Sequence, residues 1–148
     1  MSRHNTTFDK PESQDCTTTD MTTEVTAGIQ VSVETFYQPT HSNPSQSHYV
    51  FAYRITIKND SGDDVRLKRR HWHVIDSDSN KREVEGEGVV GEQPYLANGE
   101  TYRYVSGCNL NTEIGKMFGT YLMERVTDRK LFFVRIPEFK MIVPGKLN

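Results

Sequence analysis

Gly86-Glu87-Gly88-Val89-Val90-Gly91 is a literal G-x-G-x-x-G. In a dinucleotide-binding fold such glycines permit a tight turn and close backbone approach to a pyrophosphate, which lies on a helix N-terminus. The flanks deny that context. Pro94 would interrupt the helix the motif must open, and Glu87 and Glu92 would repel a phosphate. A smaller chemistry remains, in which backbone N–H groups at Gly86, Gly88 and Gly91 form an anion nest without a helix. The competing reading is that the same glycines serve sharp bends between strands.

Two further groups have the residue types of cation ligands. Asp76, Asp78 and Asn80 stand at the first, third and fifth positions of a calcium-loop spacing, with Glu87 at the twelfth. Lys81 replaces the glycine that such a loop needs, so low-affinity Mg²⁺ is the chemistry left to it. An Asx-rich hairpin turn explains these residues equally well. His71 and His73, two apart on a strand, share a face and would suit Zn²⁺ if a third ligand came from elsewhere. Exposed strand histidines are the plain alternative.

Other residues offer less. Arg66, Lys68, Arg69 and Arg70 form a basic run, offset by Asp63, Asp64, Asp76, Asp78, Glu83 and Glu85 nearby in sequence. That is a solvated strand or a protein-docking patch; nucleic acid would call for more charge and stacking aromatics. There is no G-x-S-x-G nucleophile elbow. Cys108 alternates with Tyr104 and Leu110, which reads as an inert buried thiol. An enzyme is not the expectation, and no cofactor is expected.

The elements that must position these groups are strands. Ile29, Val31, Val33 and Thr35 alternate with polar residues, as do Phe51, Tyr53, Ile55 and Ile57. From Val65 the apolar parity switches between Leu67 and Trp72, which predicts a bulge near residues 68–70. Further strands are predicted at about 81–87, 100–109, 117–125 and 131–142, with turn formers between them. No segment shows a sustained helical period. About seven strands in a domain of this length predict an all-β, antiparallel sandwich. Leu96, the Gly99 turn and Tyr102 have the spacing of an immunoglobulin or fibronectin type III tyrosine corner, although an ordinary hairpin tyrosine would look the same.

Residues 1–27, with eight threonines and only isolated apolar residues, predict a disordered polar tail, and Met21 is a candidate translation start. The domain is then expected at 28–148. Lys+Arg 18 against Asp+Glu 20 gives a net charge of -2, which argues against a globally basic nucleic-acid binder. No window is long and apolar enough for membrane insertion, and the N-terminus lacks a signal-peptide core. Cys16 and Cys108 are too few for a disulfide scaffold, so a reducing cytoplasm is the expected location.

Several longer strings resemble the bacterial ApaG family. They are Thr35-Phe36-Tyr37, Tyr49-Val50-Phe51-Ala52-Tyr53, Arg70-His71-Trp72, the block from Glu85 to Pro94, Tyr104-Val105-Ser106-Gly107, Gly115-Lys116-Met117-Phe118-Gly119-Thr120-Tyr121-Leu122-Met123 and Ile136-Pro137-Glu138-Phe139. The resemblance spans about residues 28–148, departing from the short bacterial pattern in the N-terminal extension and in Asn98, where Pro is commoner. It implies a fibronectin type III-like or immunoglobulin-like sandwich. It also implies a link to cobalt resistance and magnesium efflux, and kinship with eukaryotic domains that look like protein-interaction modules. No family catalytic residue carries over; the glycine motif carries over to Gly86, Gly88 and Gly91.

The expectation is a non-enzymatic interaction module associated with divalent-cation homeostasis. Its partner is a protein, or a second copy paired as a homodimer at a sheet edge, and neither nucleic acid nor a membrane. Tyr95, Leu96, Asn98 and Gly99 are the expected contact residues. The alternative is a binder of a phosphate-bearing ligand or Mg²⁺ at residues 86–91.

Overall fold

The computed structural model describes residues 21–145. Nine antiparallel strands form two sheets: β1 (Thr22–Thr26), β2 (Ile29–Tyr37), β3 (Tyr49–Asn59), β4 (Val65–Asp76), β5 (Lys81–Glu87), β6 (Tyr95–Leu96), β7 (Thr101–Leu110), β8 (Ile114–Arg125) and β9 (Lys130–Ile142). The first sheet runs β1-β2-β3-β7 and the second β5-β4-β8-β9, with β6 paired to β4. Among the described residues the only helical segments are two 3₁₀ turns, Pro39–His41 and Pro44–Gln46. No helix among them is long and apolar enough to cross a membrane. The chain is an all-β sandwich, as its period-2 alternation predicts.

The inward parity of each strand makes the core. Ile29, Val31 and Val33 of β2 and Ile55 and Ile57 of β3 are fully buried. They meet Leu67, Trp72 and Val74 of β4 and Tyr121 and Met123 of β8. Tyr53, Trp72 and Phe139 form an aromatic triangle with centroids 5.4 to 5.9 Å apart, each pair adding about 0.5–1.5 kcal/mol beyond area burial. Tyr104 of β7 and Tyr121 of β8 share a hydrogen bond between their hydroxyls across the core. That pairing lets two phenols lie buried without an orphaned polar atom.

The predicted bulge lies between Leu67 and Arg69, where β4 loses register with β8. It preserves burial on both sides of the parity switch. A second bulge, between Met117 and Gly119, faces the β9 segment that holds Pro137; proline has no N–H to give a regular ladder.

The predicted tail boundary is corrected. Residues 22–26 form β1, paired with β2 from Thr22 opposite Val33 to Thr26 opposite Ile29. β1 also lies against β9, where the Arg135 N–H donates to Thr26 Oγ1 at 3.2 Å and Arg135 pairs with Glu24 at 3.1 Å. A strand held by a ladder and an ion pair needs no apolar face, so a search for one passes over it. Residues 1–20 of the expected tail lie outside the described residues. The expected tyrosine corner is also absent: Tyr102 donates to Glu92 Oε1 at 3.3 Å, a side chain across the loop rather than the backbone upstream.

Candidate functional site

After its bulge, β4 sends Trp72 and Val74 into the core and His71 and His73 to the outer face. The hairpin through residues 76–80 then sets β5 beside them, with Glu85 opposite His71 and Glu83 opposite His73. The two rings lie 4.6 Å apart, and His73 stacks on Phe118 of β8 at 4.9 Å with 13° between planes. Glu83 reaches both histidines, Oε1 lying 3.0 Å from His71 Nε2 and Oε2 3.7 Å from His73 Nδ1. Glu85 Oε2 lies 3.6 Å from His71 Nδ1. Ligand atoms, one each from His71, His73 and Glu83, lie within 4.8 Å of one another, the one such cluster among the described residues. Sequence reading found the histidines and missed Glu83. The turn formers at 76–80 carried the signal, because folding the hairpin about Asp78 puts Glu83 opposite His73.

Asp76, Asp78 and Asn80 do not join that cluster. Asp76 Oδ1 accepts the N–H groups of Asp78 and Asn80, both at 2.9 Å, and Oδ2 accepts Asn80 Nδ2 at 3.3 Å. A carboxylate ringed by donors closes a turn rather than holding a cation. Glu87 stands at the far end of β5, opposite Arg69, which separates it from this turn.

The glycine motif is a folded corner. Val89 and Glu92 exchange both backbone hydrogen bonds, at 2.8 and 2.9 Å, around Val90 (φ 41) and Gly91 (φ 83). Positive φ at both central residues is the type I′ hairpin turn. The Gly88 N–H donates to Lys68 O at the β4 bulge, at 2.9 Å. Gly88 (φ 63) also has no room for a side chain, since a Cβ there would lie 2.7 Å from the carbonyl carbon of Glu92. Beside Gly86, Arg70 Nη1 donates to the carbonyls of Glu87 and Gly88, both at 3.0 Å. The N–H groups of Gly88 and Val89 are thus spent on Lys68 O of β4 and on Glu92 O, and do not converge on a ligand position.

Of the expected contact residues, Leu96 is 1% exposed and belongs to the core. Tyr95 is exposed, donates to Asp64 Oδ2 at 2.6 Å and carries the Arg66 guanidinium over its ring. That hydrogen bond, with one from the Asn98 N–H, holds the Asp64 carboxyl below its ordinary range. Asn98 Oδ1 accepts the Gly62 N–H and the Gly99 N–H donates to Asn59 O, so both residues brace the neighbouring turn. Leu131 and Phe133 of β9 are two further large apolar side chains left exposed. β9 is apolar on both parities, and sequence alone does not say which one faces out.

The family model of the ApaG domain matches residues 39–125, β3 to β8 together with the 3₁₀ turns before β3. The chain belongs to the ApaG domain family. Protein ApaG of Rhizobium etli is 48% identical over 124 residues, covering 84% of this chain and 95% of that protein. Protein ApaG of Brucella canis is 45% identical with the same coverage. A Bordetella pertussis crystal structure solved under the name ApaA is 43% identical, covers 83% of this chain and 96% of its own, and superposes with a TM-score of 0.75. The ApaG-domain segment contains the His–Glu cluster and the glycine corner; Leu131 and Phe133 lie beyond it.

The side of this ApaG domain between β5 and β7 is bridged by Arg82, whose Nη2 reaches Cys108 Sγ at 3.3 Å and donates to Asn109 O at 2.6 Å. Burial pushes the Cys108 thiol up, outweighing the guanidinium. A cavity of about 200 Å³ beside it is lined by Asp76, Lys81, Arg82 and Leu110.

Proposed function

We propose that this chain is a non-enzymatic ApaG-family module, linked to divalent-cation homeostasis, that docks an acidic, apolar segment of a protein partner. The observation that carries the docking is on the outer face of the second sheet. Leu131 and Phe133 are 53% and 65% exposed there. The register sets Phe133 beside Leu122 and Arg69, and Leu131 beside Glu124, Arg66 and Tyr95, as two adjacent rows. Single exposed apolar residues are ordinary, but neighbouring ones flanked by arginine and tyrosine have the composition of an interface. Arg69, Arg129 and Lys130 make no ion pair among the described residues, so they remain able to pair with acidic groups on the partner. The non-enzymatic part is supported by the burial of Cys108, Tyr104 and Tyr121, which withholds the thiol and two phenols from a substrate. The cation part rests on the family resemblance.

The test places a photo-crosslinking residue at position 133, and separately at exposed Val84, in the full chain expressed in its native host. The expected result is a crosslink to a different protein from 133 but not from 84, weakened by Arg69→Glu. Equal yields at both positions, or crosslinks from 133 only to a second copy, would overturn the reading.

A further inference from the structure

We propose that His71, His73 and Glu83 form a binding site for a borderline first-row divalent ion such as Zn²⁺ or Ni²⁺, and not for Mg²⁺. This inference stands on residues separate from the docking rows, so either can fail alone.

Three features of the cluster point the same way. First, the donor set is two imidazoles and one carboxylate, which suits these ions, whereas Mg²⁺ prefers an all-oxygen, largely hydrated octahedron. Second, the atoms already face one another. Glu83 lies between the rings, with its two oxygens directed at His71 Nε2 and His73 Nδ1. Ligand atoms around a tetrahedral ion at roughly 2.0–2.2 Å stand about 3.3–3.6 Å apart. The observed spread, up to 4.8 Å, exceeds that by about 1.2–1.5 Å, so the ligands draw in as an ion binds. Third, the supports expected behind metal-binding histidines are in place. Glu85 faces His71 Nδ1, the nitrogen turned away from Glu83. When an ion takes the place of the hydrogen bond between Nε2 and Glu83, a carboxylate on this side favours the tautomer with hydrogen on Nδ1. Phe118, stacked on His73, fixes that ring. β4 is paired on both sides, by β5 and β8, so both histidines project from a braced strand.

The ligand side chains are partly exposed, about a third for each histidine and 62% for Glu83. An ion bound there keeps coordination positions open to water.

The experiment is a titration of the full chain with Zn²⁺, Ni²⁺ and Mg²⁺, read by calorimetry and by ¹⁵N shifts of the histidine rings. Zn²⁺ and Ni²⁺ should bind saturably at one site, shifting His71 Nε2 and His73 Nδ1, while Mg²⁺ at a hundredfold higher concentration shifts neither. Glu83→Gln and His73→Asn should each weaken Zn²⁺ at least about tenfold, and Glu85→Gln, an outer-shell change, about tenfold. The exposed Glu83→Gln change keeps the test valid if His73→Asn disturbs the strand. His41→Asn and His48→Asn should leave the affinity unchanged. Unaltered Zn²⁺ affinity in both Glu83→Gln and His73→Asn, or ring shifts confined to other histidines, would overturn the assignment.

Discussion

Gly88→Ala isolates what the glycine motif does. At φ 63 an alanine occupies the left-handed region, at a cost of about 1–2 kcal/mol. Its Cβ would also lie 2.7 Å from the carbonyl carbon of Glu92 and closer still to the oxygen. That oxygen is held by the Val89 N–H and cannot swing aside without opening the type I′ turn. Overlap with fixed backbone costs about 1–3 kcal/mol, so the total is about 2–5 kcal/mol. For a domain of this size that lowers Tm by about 10 °C or more. Gly91→Ala shares the positive φ but meets nothing within 4 Å, so only the conformational cost of about 1–2 kcal/mol applies. Gly86→Ala meets the tip of Arg70, a side chain able to move, and loses at most its hydrogen bonds to Glu87 and Gly88, about 1 kcal/mol. Urea unfolding followed by circular dichroism orders the three variants. Gly88→Ala should be the least stable by a clear margin, and millimolar pyrophosphate should leave the parent Tm unmoved. Equal losses at all three positions, or a pyrophosphate-dependent rise in Tm that Gly88→Ala abolishes, would refute the corner reading.

Asn59 is fully buried and donates to the carbonyls of Asp63 and Leu96 while accepting from Ser61. Asn59→Ala should cost about 2–3 kcal/mol in chemical denaturation, because it removes the donor to Leu96 O and Asp63 O and the acceptor for Ser61 from a buried position. Asn59→Asp should not rescue it, since a carboxylate cannot donate to those carbonyls. Burial raises the Tyr53 hydroxyl to about 12, with its bond to Ser106 opposing the shift. The fold thus favours the neutral phenol, and stability should fall as pH rises from about 10 toward about 12. Tyrosinate absorbance of the folded protein should lag that of the urea-unfolded chain. Asp128 is lowered to about 2, chiefly by its hydrogen bond from Arg125 and then by the Lys130 N–H. Its contribution is present above the ordinary carboxyl range and disappears as pH falls through about 2. Asp128→Asn should flatten that part of the acid limb in a plot of Tm against pH.

The strands on one side of the sandwich were readable wherever a single parity was apolar, as from Ile29 to Val33 and from Phe51 to Ile57. Side-chain alternation is local, and so was the β4 bulge, which the switch from Leu67 to Trp72 announced. β1 and β6 were not readable. Thr22–Thr26 is held by partners on β2 and β9, and Tyr95–Leu96 is a strand only because β4 lies beside it. Leu96 drops out of the expected contact residues for a related reason. Leu96 and Tyr95 are adjacent and similarly apolar, and only the β4 pairing turns one into the core and leaves the other on the surface.

The sequence alone determined the class of fold, the shared face of His71 and His73, and the unsuitability of Gly86, Gly88 and Gly91 for a helix-borne phosphate. Each follows from the period of a strand or the chemistry of a neighbour such as Pro94. The tertiary structure decided which groups meet. Register brought Glu83 between two histidines, spent the amides of Gly88 and Val89 on backbone carbonyls, and turned Leu131 and Phe133 outward. These outcomes depend on where a second or third strand is laid down, and pairing between distant residues is set by burial of the whole sandwich, not by any one segment.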